Sequence, residues 1–203
     1  MSSHTELVLE YAANRFGAID PNGFNEIVTS EPPIFVHLAC GVQPSDPLTL
    51  FTTGMSEIAM PSLNDSSDAI RFAELFIQLP ANWLLDPMAI RDMNNAWPIL
   101  ALRELAQMPH KNGRNIGGAI GIVERDGPDD FLASNALFTG FLLMRDGQIE
   151  TEQQNTISLF RVTPLYWEEL QLVQEKGLVP LLHGFDRCST PRIVDLHRTN
   201  VAV

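Results

Sequence analysis

The sequence predicts an α+β fold, a single domain over residues 1–203 in which a mixed β-sheet is flanked by α-helices. Strand-like segments are adjacent at some places in the chain and separated by helical segments at others, which is typical of mixed sheets. No internal repeat, low-complexity tract or linker divides the 203 residues, and this length is sufficient for one full hydrophobic core. One domain is therefore the simplest interpretation.

The strongest strand signal lies in residues 72–79, within the stretch from Ile70 to His110. Successive side chains of an extended chain point to opposite faces, so this segment presents two faces. One face carries Ala73, Leu75, Ile77 and Leu79, and the other carries Phe72, Glu74, Phe76 and Gln78. Pro80 lacks a backbone donor and therefore ends the predicted strand.

Two helices are predicted after this strand. Asp86 and Pro87 suit the N-cap and the first position of one helix. Trp97 and Pro98 open the second helix, whose apolar residues recur at helical spacing: Ile99, Leu102, Leu105 and Met108. We expect Pro109 to end this helix, which can then pack back on the sheet.

Weaker signals define the other elements. We expect a first helix that is capped by Ser3 or Thr5 and ended by Gly17. The remaining predicted elements are strands at 33–40 and 48–55 joined by a hairpin loop, a glycine-rich strand at 116–124, a strand at 136–144, a turn at 145–148, a strand at 155–162, a helix opened by Thr163-Pro164 and ended by Gly177, a short apolar helix or turn at 178–186, and a last strand within 191–203.

The charge balance restricts the partners that the protein can bind. The chain has 25 acidic and 13 basic side chains, for a formal net charge of -12. Such a field repels nucleic acid and anionic lipid, so we expect no nucleic acid and no membrane as partner, and it favours a basic protein. The alternative explanation is that the acidity only keeps the protein soluble.

Cysteine usage and the N-terminus indicate the compartment. Cys40 and Cys188 are too few for a disulfide framework, and we expect both to be reduced and buried. The first residues lack the basic region and the apolar run of a signal peptide, and no stretch approaches the ~18 apolar residues of a membrane span. A cytoplasmic protein is therefore expected.

No motif for catalysis or cofactor binding is found. The glycines of residues 113–121 do not fit the G-x-G-x-x-G pattern, because Ile116 and Ala119 interrupt it, and no Walker sequence is present. The five histidines show no metal-ligand spacing, and there is no G-x-S-x-G motif. We expect no cofactor, no metal ion and no catalytic residue. The alternative from another class is a hydrolase that uses Cys188 and His183.

An acidic loop next to the glycine-rich strand is the candidate partner-binding site. Asp126, Asp129 and Asp130 offer negative charge, and Gly117 and Gly118 would let another backbone approach closely. The aspartates lack the ligand order of an EF-hand, and a solvated acidic turn is the alternative explanation for them.

Several segments together resemble one known family. They are GMSEIAMP (54–61), ELFIQLPANWLLD (74–86), WPILALRELAQMPH (97–110), TPLYWEELQLVQEKGLVPLLHGFDR (163–187) and IVDLHRTNV (193–201). Taken in this order, they are similar to the suppressor of fused (SUFU) domain family in its compact bacterial form, over about residues 50–200. The sequence RNIGGAIGI, from Arg114 to Ile122, departs from the T-W-L-G-x-G-H-T-I-like run that is common in relatives.

The resemblance implies a non-enzymatic protein-binding module without cofactor or catalytic residues. Compact bacterial relatives are often immunity proteins encoded beside secreted toxins, so an antitoxin-type protein that neutralises a cognate toxin is the expected function. The acidic charge fits a basic toxin. The alternative is a regulatory scaffold that captures an extended peptide by β-strand addition, as the eukaryotic family member does with a transcription factor.

Overall fold

A computed structural model describes residues 3–24, 31–61, 70–113, 115–116 and 118–203. Within these ranges the strands are β1 (Ala18–Ile19), β2 (Phe35–Cys40), β3 (Leu48–Thr53), β4 (Phe72–Leu79), β5 (Ile120–Glu124), β6 (Gly140–Glu150) and β7 (Thr156–Leu165), and the α-helices are α1 (His4–Phe16), α2 (Met93–Asn112), α3 (Trp167–Lys176) and α4 (Leu178–Arg187). The strands form one sheet in the order β1-β2-β3-β4-β7-β6-β5. Only the β4–β7 pair is parallel among the described strands, so the predicted mixed-sheet α+β fold is confirmed.

Helices cover both faces of the sheet. On one face, α2 packs Trp97 and Leu102 against Leu75 and Ile77 of β4, where all four side chains are buried. On the other face, α1 covers the half of the sheet around β3 and β4, and α3 with α4 covers the half around β6 and the end of β7. Both predicted faces of β4 are therefore buried, because each face meets a helix.

The N-terminal helix and the β2–β3 hairpin follow the sequence prediction. The Ser3 hydroxyl accepts a hydrogen bond from the Glu6 N–H at 3.2 Å and so caps α1, which ends at Gly17. Residues 35–40 pair with residues 48–53 in an antiparallel register. The local signals were sufficient here because a cap and a hairpin depend on neighbouring residues.

The region predicted to hold two helices is organised differently. Asp86 caps only a short turn, by accepting from Met88 N at 3.0 Å and Ala89 N at 3.1 Å. α2 instead begins after Asp92, and it continues through Pro98 and Pro109 to Asn112. The prediction that Pro109 ends the helix is wrong. A proline removes one hydrogen bond, and the buried apolar face of α2 offsets this loss.

Three further predictions in the C-terminal half are wrong. The predicted turn at 145–148 lies inside β6, where a β-bulge shifts the register between Arg145 and Gly147. Thr163 and Pro164 belong to β7, and α3 starts after Tyr166. The tail forms no strand among the described residues and bonds to the sheet through Val194 N and the Gln78 carbonyl, at 2.8 Å.

A polar junction, which we define as the segment 54–57 with Glu74, joins the two helices α1 and α2 to the centre of the sheet. Gly54 has φ +101° and a Cβ there would lie 2.0 Å from the Pro33 carbonyl oxygen, so the turn requires glycine. The Ser56 carbonyl bonds to His4 Nδ1 at 2.5 Å, and the Met55 carbonyl bonds to His110 Nε2 at 3.1 Å.

The carboxyl group of Glu74 is fully buried in this junction. It accepts from the Thr52 hydroxyl at 2.6 Å, and from the Ser56 hydroxyl and N–H at 2.7 and 2.9 Å. All of these donors are neutral. Burial therefore dominates and raises the pKa of Glu74 to about 7, although the hydrogen bonds act in the opposite direction.

A buried ion pair fixes the C-terminal tail. Arg198 donates from both terminal nitrogens to the carboxylate of Glu169 in α3, at 2.6 and 2.5 Å, and also to the Pro164 carbonyl.

 The Glu169 side chain is fully buried and also accepts from the backbone N–H groups of Tyr166 and Val201, at 3.0 and 3.1 Å. Every oxygen of this carboxylate is thus paired, as a buried charge requires.

Candidate partner-binding site

The outer side of β5 is a strand edge with which no other described strand pairs. Arg125 N donates to the Thr139 carbonyl at 3.0 Å, which continues the pairing of β5 with β6. Because hydrogen-bonded residues alternate along an antiparallel pair, the main-chain groups of Ile122 and Glu124 point away from β6. No backbone hydrogen bond to these two residues is found on the outer side from the part of the chain that the structure describes. We call these outward groups the β5 edge.

A groove surrounds the β5 edge. One cavity of about 380 Å³ lies between the β5 edge and the C-terminal half of α2, and a second cavity of about 510 Å³ extends toward α3. The two cavities share Met108, Val123 and Glu124, so they are continuous around the edge of the sheet. Leu105 and Phe141 add apolar wall on the α2 side. We call this feature the β5 groove.

Carboxylates are concentrated at the α2 side of the β5 groove. Glu104, Glu124, Asp126 and Asp130 line it, against the two cations Lys111 and Arg125. This excess of negative charge means that the groove favours a positively charged occupant.

Two of these carboxylates, those of Asp130 and Glu104, already form ion pairs with Arg125. Asp130 accepts from Arg125 at 3.0 Å and from Asp126 N at 3.3 Å, and the hydrogen bond from Arg125 lowers the pKa of the Asp130 carboxyl. Arg125 also contacts Glu104 at 3.3 Å. Asp126 is exposed and lines the groove without an ion pair to a described residue, so it is the more available charge.

The structure places the predicted site residues unequally. Asp126 and Asp130 lie in the groove, whereas Asp129 is exposed outside its lining. Gly118 has open space where a Cβ would be, so it leaves room for an approaching chain. Gly117 lies outside the described residues.

The wall that α2 contributes was missed by sequence reasoning. Glu104, Gln107, Met108 and Lys111 line the groove from one side of the helix. Their spacing of three and four residues places them on one face, and this was the signal that could have identified them. The partner of that face could not be deduced, because β5 follows α2 through a loop whose path the sequence does not specify.

The hydrolase alternative has no geometric support. His183 lies within α4, and Cys188 is five positions later, just beyond the end of that helix. Both side chains are exposed, and no hydrogen bond joins them among the described contacts. The prediction that both cysteines are buried is also wrong, since Cys40 is half-buried and Cys188 is exposed at the turn that follows α4.

The described residues offer neither a metal site nor a membrane-spanning helix. Groups of three or more His, Cys, Asp or Glu side chains placed to hold a metal ion are not found there. None of the described helices is long and apolar enough to cross a membrane.

The fold and the groove define a class of protein, an α+β domain that offers an open strand edge beside an acidic groove. The chain belongs to the suppressor of fused protein (SUFU) family, whose sequence profile matches residues 30–199. This match confirms the resemblance inferred from the five sequence segments. Comparison with curated proteins gives no match.

Solved structures of SUFU proteins have the same fold. A SUFU homolog from Neisseria gonorrhoeae FA 1090 is 17% identical, with a TM-score of 0.67 over 98% of this chain and 96% of that chain. The Sufu–Fu complex is 12% identical, with a TM-score of 0.57 over 95% of this chain and 88% of that chain. Drosophila Suppressor of Fused is 12% identical with a TM-score of 0.59, and this chain aligns over 98% of its length with 50% of the Drosophila chain. Eukaryotic members of the family bind partner proteins, as the Sufu–Fu complex shows.

Proposed function

We propose that this protein is a non-enzymatic, cytoplasmic binding module of the immunity type, which binds and neutralises a cognate basic toxin. The observation that carries this proposal is the β5 edge, a row of open main-chain groups in a groove with an acidic wall. A site of this kind binds a chain and transforms no substrate. Membership of a family whose eukaryotic members bind proteins supports the same conclusion.

The β5 groove has the parts that strand addition requires. The outward groups of Ile122 and Glu124 supply hydrogen bonds to an added strand. Alternate side chains of that strand would point to opposite faces of the sheet, into the cavity beside α2 and into the cavity toward α3. Backbone pairing would supply affinity, and the two cavities would supply selectivity.

Charge determines the class of partner that we propose. The net charge of -12 attracts a basic protein from a distance, and Glu104 and Asp126 continue that attraction into the groove. Neutralisation would follow by occlusion, because a basic surface held in this groove is no longer free to act on its target.

A regulatory scaffold that captures an extended peptide is the second candidate function. The same β5 edge supports it, and the family relationship to a protein seen in the Sufu–Fu complex favours it. The two functions differ in the partner. An immunity protein binds the toxin encoded beside it and removes its toxicity, whereas a scaffold binds a regulatory protein and leaves that toxin active.

The test is stopped-flow association with the product of the adjacent gene, over a salt series. The structure refines the choice of variants, since Asp130 is paired with Arg125 and reversing its charge would disturb the loop. The test variant is therefore Asp126→Lys with Asp129→Lys, and the matched control is Glu10→Lys with Glu152→Lys, two exposed positions outside the groove.

We expect the association rate to fall several-fold in the groove variant and less in the control, and to fall as salt shortens the Debye length to roughly 8 Å. Dissociation should change less, because it depends on buried contacts. A salt-independent association rate, or an acidic partner, would contradict the electrostatic part of the proposal. Absence of binding to the adjacent gene product would contradict the immunity function itself.

A further inference from the structure

A buried arginine on the opposite side of the sheet from α2 lacks the hydrogen bonds that its burial requires. The Arg161 side chain in β7 is only 10% exposed. Its Nε and Nη1 atoms are buried without a hydrogen-bond partner in the described part of the chain. A buried guanidinium group normally has its donors paired, because unpaired donors lose their hydration without replacement.

Arg161 belongs to a cluster of three guanidinium groups around Asp146. Arg161 Nη1 lies 3.1 Å from the carboxylate, at ion-pair distance but without hydrogen-bond alignment. Arg15 in α1 reaches the same carboxylate at 3.0 Å, and Arg192 in the tail approaches it at 3.8 Å. One carboxylate therefore serves three cations.

The β-bulge in β6 positions Asp146 at the centre of this cluster. The register shift between Arg145 and Gly147 leaves Asp146 as the extra residue, so its carboxylate can turn toward α1 and β7. A Cβ at position 147 would lie 2.4 Å from the Tyr11 hydroxyl and 2.9 Å from Arg15 Nη1, so Gly147 makes the space that Arg15 occupies. Bulges of this kind are frequent beside functional sites.

Arg161 borders a cavity of about 310 Å³ between β6, β7, α4 and the tail. Two cations, Arg161 and Arg192, and two hydroxyl side chains, Thr163 and Thr190, line it. The remaining wall is apolar apart from one carboxylate: it consists of Leu142, Met144, Leu182, Phe185, Pro191 and Asp186. The volume is at the lower end of the range for small-molecule sites, roughly 300 to 1,000 Å³.

The local charge is opposite to that of the whole protein. Arg15, Arg161 and Arg192 face two carboxylates, those of Asp146 and Asp186, in a chain whose net charge is -12. Burial lowers the pKa of Arg161, and the charges of Arg192 and Arg15 act in the same direction, whereas the charge of Asp146 opposes them only in part. An anion in the cavity would supply the missing negative charge.

We propose that this cavity binds a small organic oxyanion, a phosphate or carboxylate group attached to a short apolar body. The guanidinium groups of Arg161 and Arg192 would hold the oxygen atoms, which is the recognition for which arginine geometry is suited. The hydroxyl groups of Thr163 and Thr190 can donate to the same oxygens, and the apolar wall would cover the body of the ligand.

The test is calorimetric titration of the full chain with phenyl phosphate and with benzoate, in chloride buffer of matched ionic strength. We expect saturable one-site binding of at least one of these probes. Tighter binding of phenyl phosphate would assign a phosphate head group, and tighter binding of benzoate would assign a carboxylate. Absence of binding of both probes to the wild-type protein would overturn the proposal.

Three variants assign the site. Arg161→Gln should weaken binding at least ten-fold, and Arg192→Gln several-fold. Arg91→Gln is the matched control, an exposed arginine that does not line the cavity, and it should bind as the wild type does. The Arg192 side chain is 71% exposed, so Arg192→Gln keeps the test decisive if Arg161→Gln fails to fold. Unchanged affinity in Arg192→Gln and in folded Arg161→Gln would overturn the proposal.

Discussion

The two edges of the sheet differ in how their main-chain groups are protected. The β1 edge consists of two residues, Ala18–Ile19, and beyond them Phe24 bonds to Val36 of β2 at 2.7 Å, which covers the next part of this edge. The β5 edge has a five-residue strand, Ile120–Glu124, with a groove on its outer side. Short strands are a common protection against unwanted pairing, and long open strands invite another chain to pair. The difference indicates that, of the two edges as the described residues form them, the β5 edge is the better suited to accept a strand.

The charge of the surrounding side chains is a second feature of the β5 edge. The carboxylates of Glu104, Glu124 and Asp126 surround the β5 edge. Charged side chains at an edge oppose pairing between copies of the same protein. The same carboxylates attract a basic chain, so an acidic edge can remain open to one class of partner while it repels its own copies.

The largest expected effect concerns the scaffold that both edges share. Trp97 is 1% exposed and packs at the start of α2 against the sheet, with its ring 5.8 Å from that of Trp83. Trp97→Ala should cost about 3–5 kcal/mol of unfolding free energy, because it leaves a cavity in the main core.

Equilibrium denaturation measures the cost of Trp97→Ala, and amide hydrogen exchange shows how it is distributed. We expect protection to fall at the β1 edge and at the β5 edge alike, since α2 supports one cooperative sheet. A cost below about 1 kcal/mol, or a loss of protection at one edge only, would contradict a single cooperative core that supports both edges.

The next effect is a pH dependence that should distinguish the two halves of the sheet. The pKa of Glu74 is raised to about 7 in the folded protein, against 4.5 for the free side chain. Between pH 4.5 and 7 the Glu74 carboxyl is protonated in the folded state and ionised in the unfolded state. The stabilisation that this proton gives the folded state is complete below pH 4.5 and is lost as pH rises through 7. The loss is on the order of 3 kcal/mol.

Denaturation of the wild type and of Glu74→Gln at several pH values isolates this contribution. The difference between their unfolding free energies should change between pH 4.5 and 8 in favour of the variant. Above pH 7 we expect faster hydrogen exchange around α1 than at β5, because the Ser56 and Glu57 segment holds the start of α1. A difference that stays constant with pH would contradict the buried, neutral Glu74.

The sequence predicted the elements whose signals are local. α1 has its own cap at Ser3, and β4 alternates regularly with one wholly apolar face, so each could be identified without knowledge of its neighbours. The predictions that proved wrong concern elements whose ends are set by tertiary contacts. Pro109 stays inside α2 because the buried face of the helix offsets the lost hydrogen bond, and residues 145–148 stay inside β6 because Asp146 is paired by arginines from other elements.

The candidate site was predicted only in part for the same reason. The aspartates at 126 and 130 were identified from their charge, but their pairing with Arg125 could not be deduced. The α2 wall and the cluster around Arg161 combine residues that are far apart in the chain. Only the fold brings Arg15, Asp146 and Arg161 together, and no spacing in the sequence indicates this.

The smallest expected effect is that of removing the exposed thiol and imidazole groups. Cys188→Ser and His183→Ala should leave partner binding and stability within about 0.5 kcal/mol of the wild type, as exposed side chains away from the groove do. Binding and denaturation assays check this expectation. Abolished biological activity in a folded variant would support the hydrolase alternative and contradict a binding function at the β5 edge.

The most direct test compares one proline substitution at each edge. In Ile122→Pro the substitution removes an outward N–H of β5, and in Ile19→Pro it removes the corresponding N–H of β1. Ile19 points outward because the next residue, Asp20, donates to the Leu38 carbonyl at 2.8 Å. Neither substitution removes a hydrogen bond between neighbouring strands of the sheet, so both variants should fold, as circular dichroism can verify.

The measurement is the affinity of each variant for the product of the adjacent gene. We predict that Ile122→Pro weakens binding at least ten-fold, since an added strand loses a main-chain hydrogen bond and meets the proline ring, whereas Ile19→Pro binds as the wild type does. Equal affinity of the two folded variants would contradict strand addition at the β5 edge.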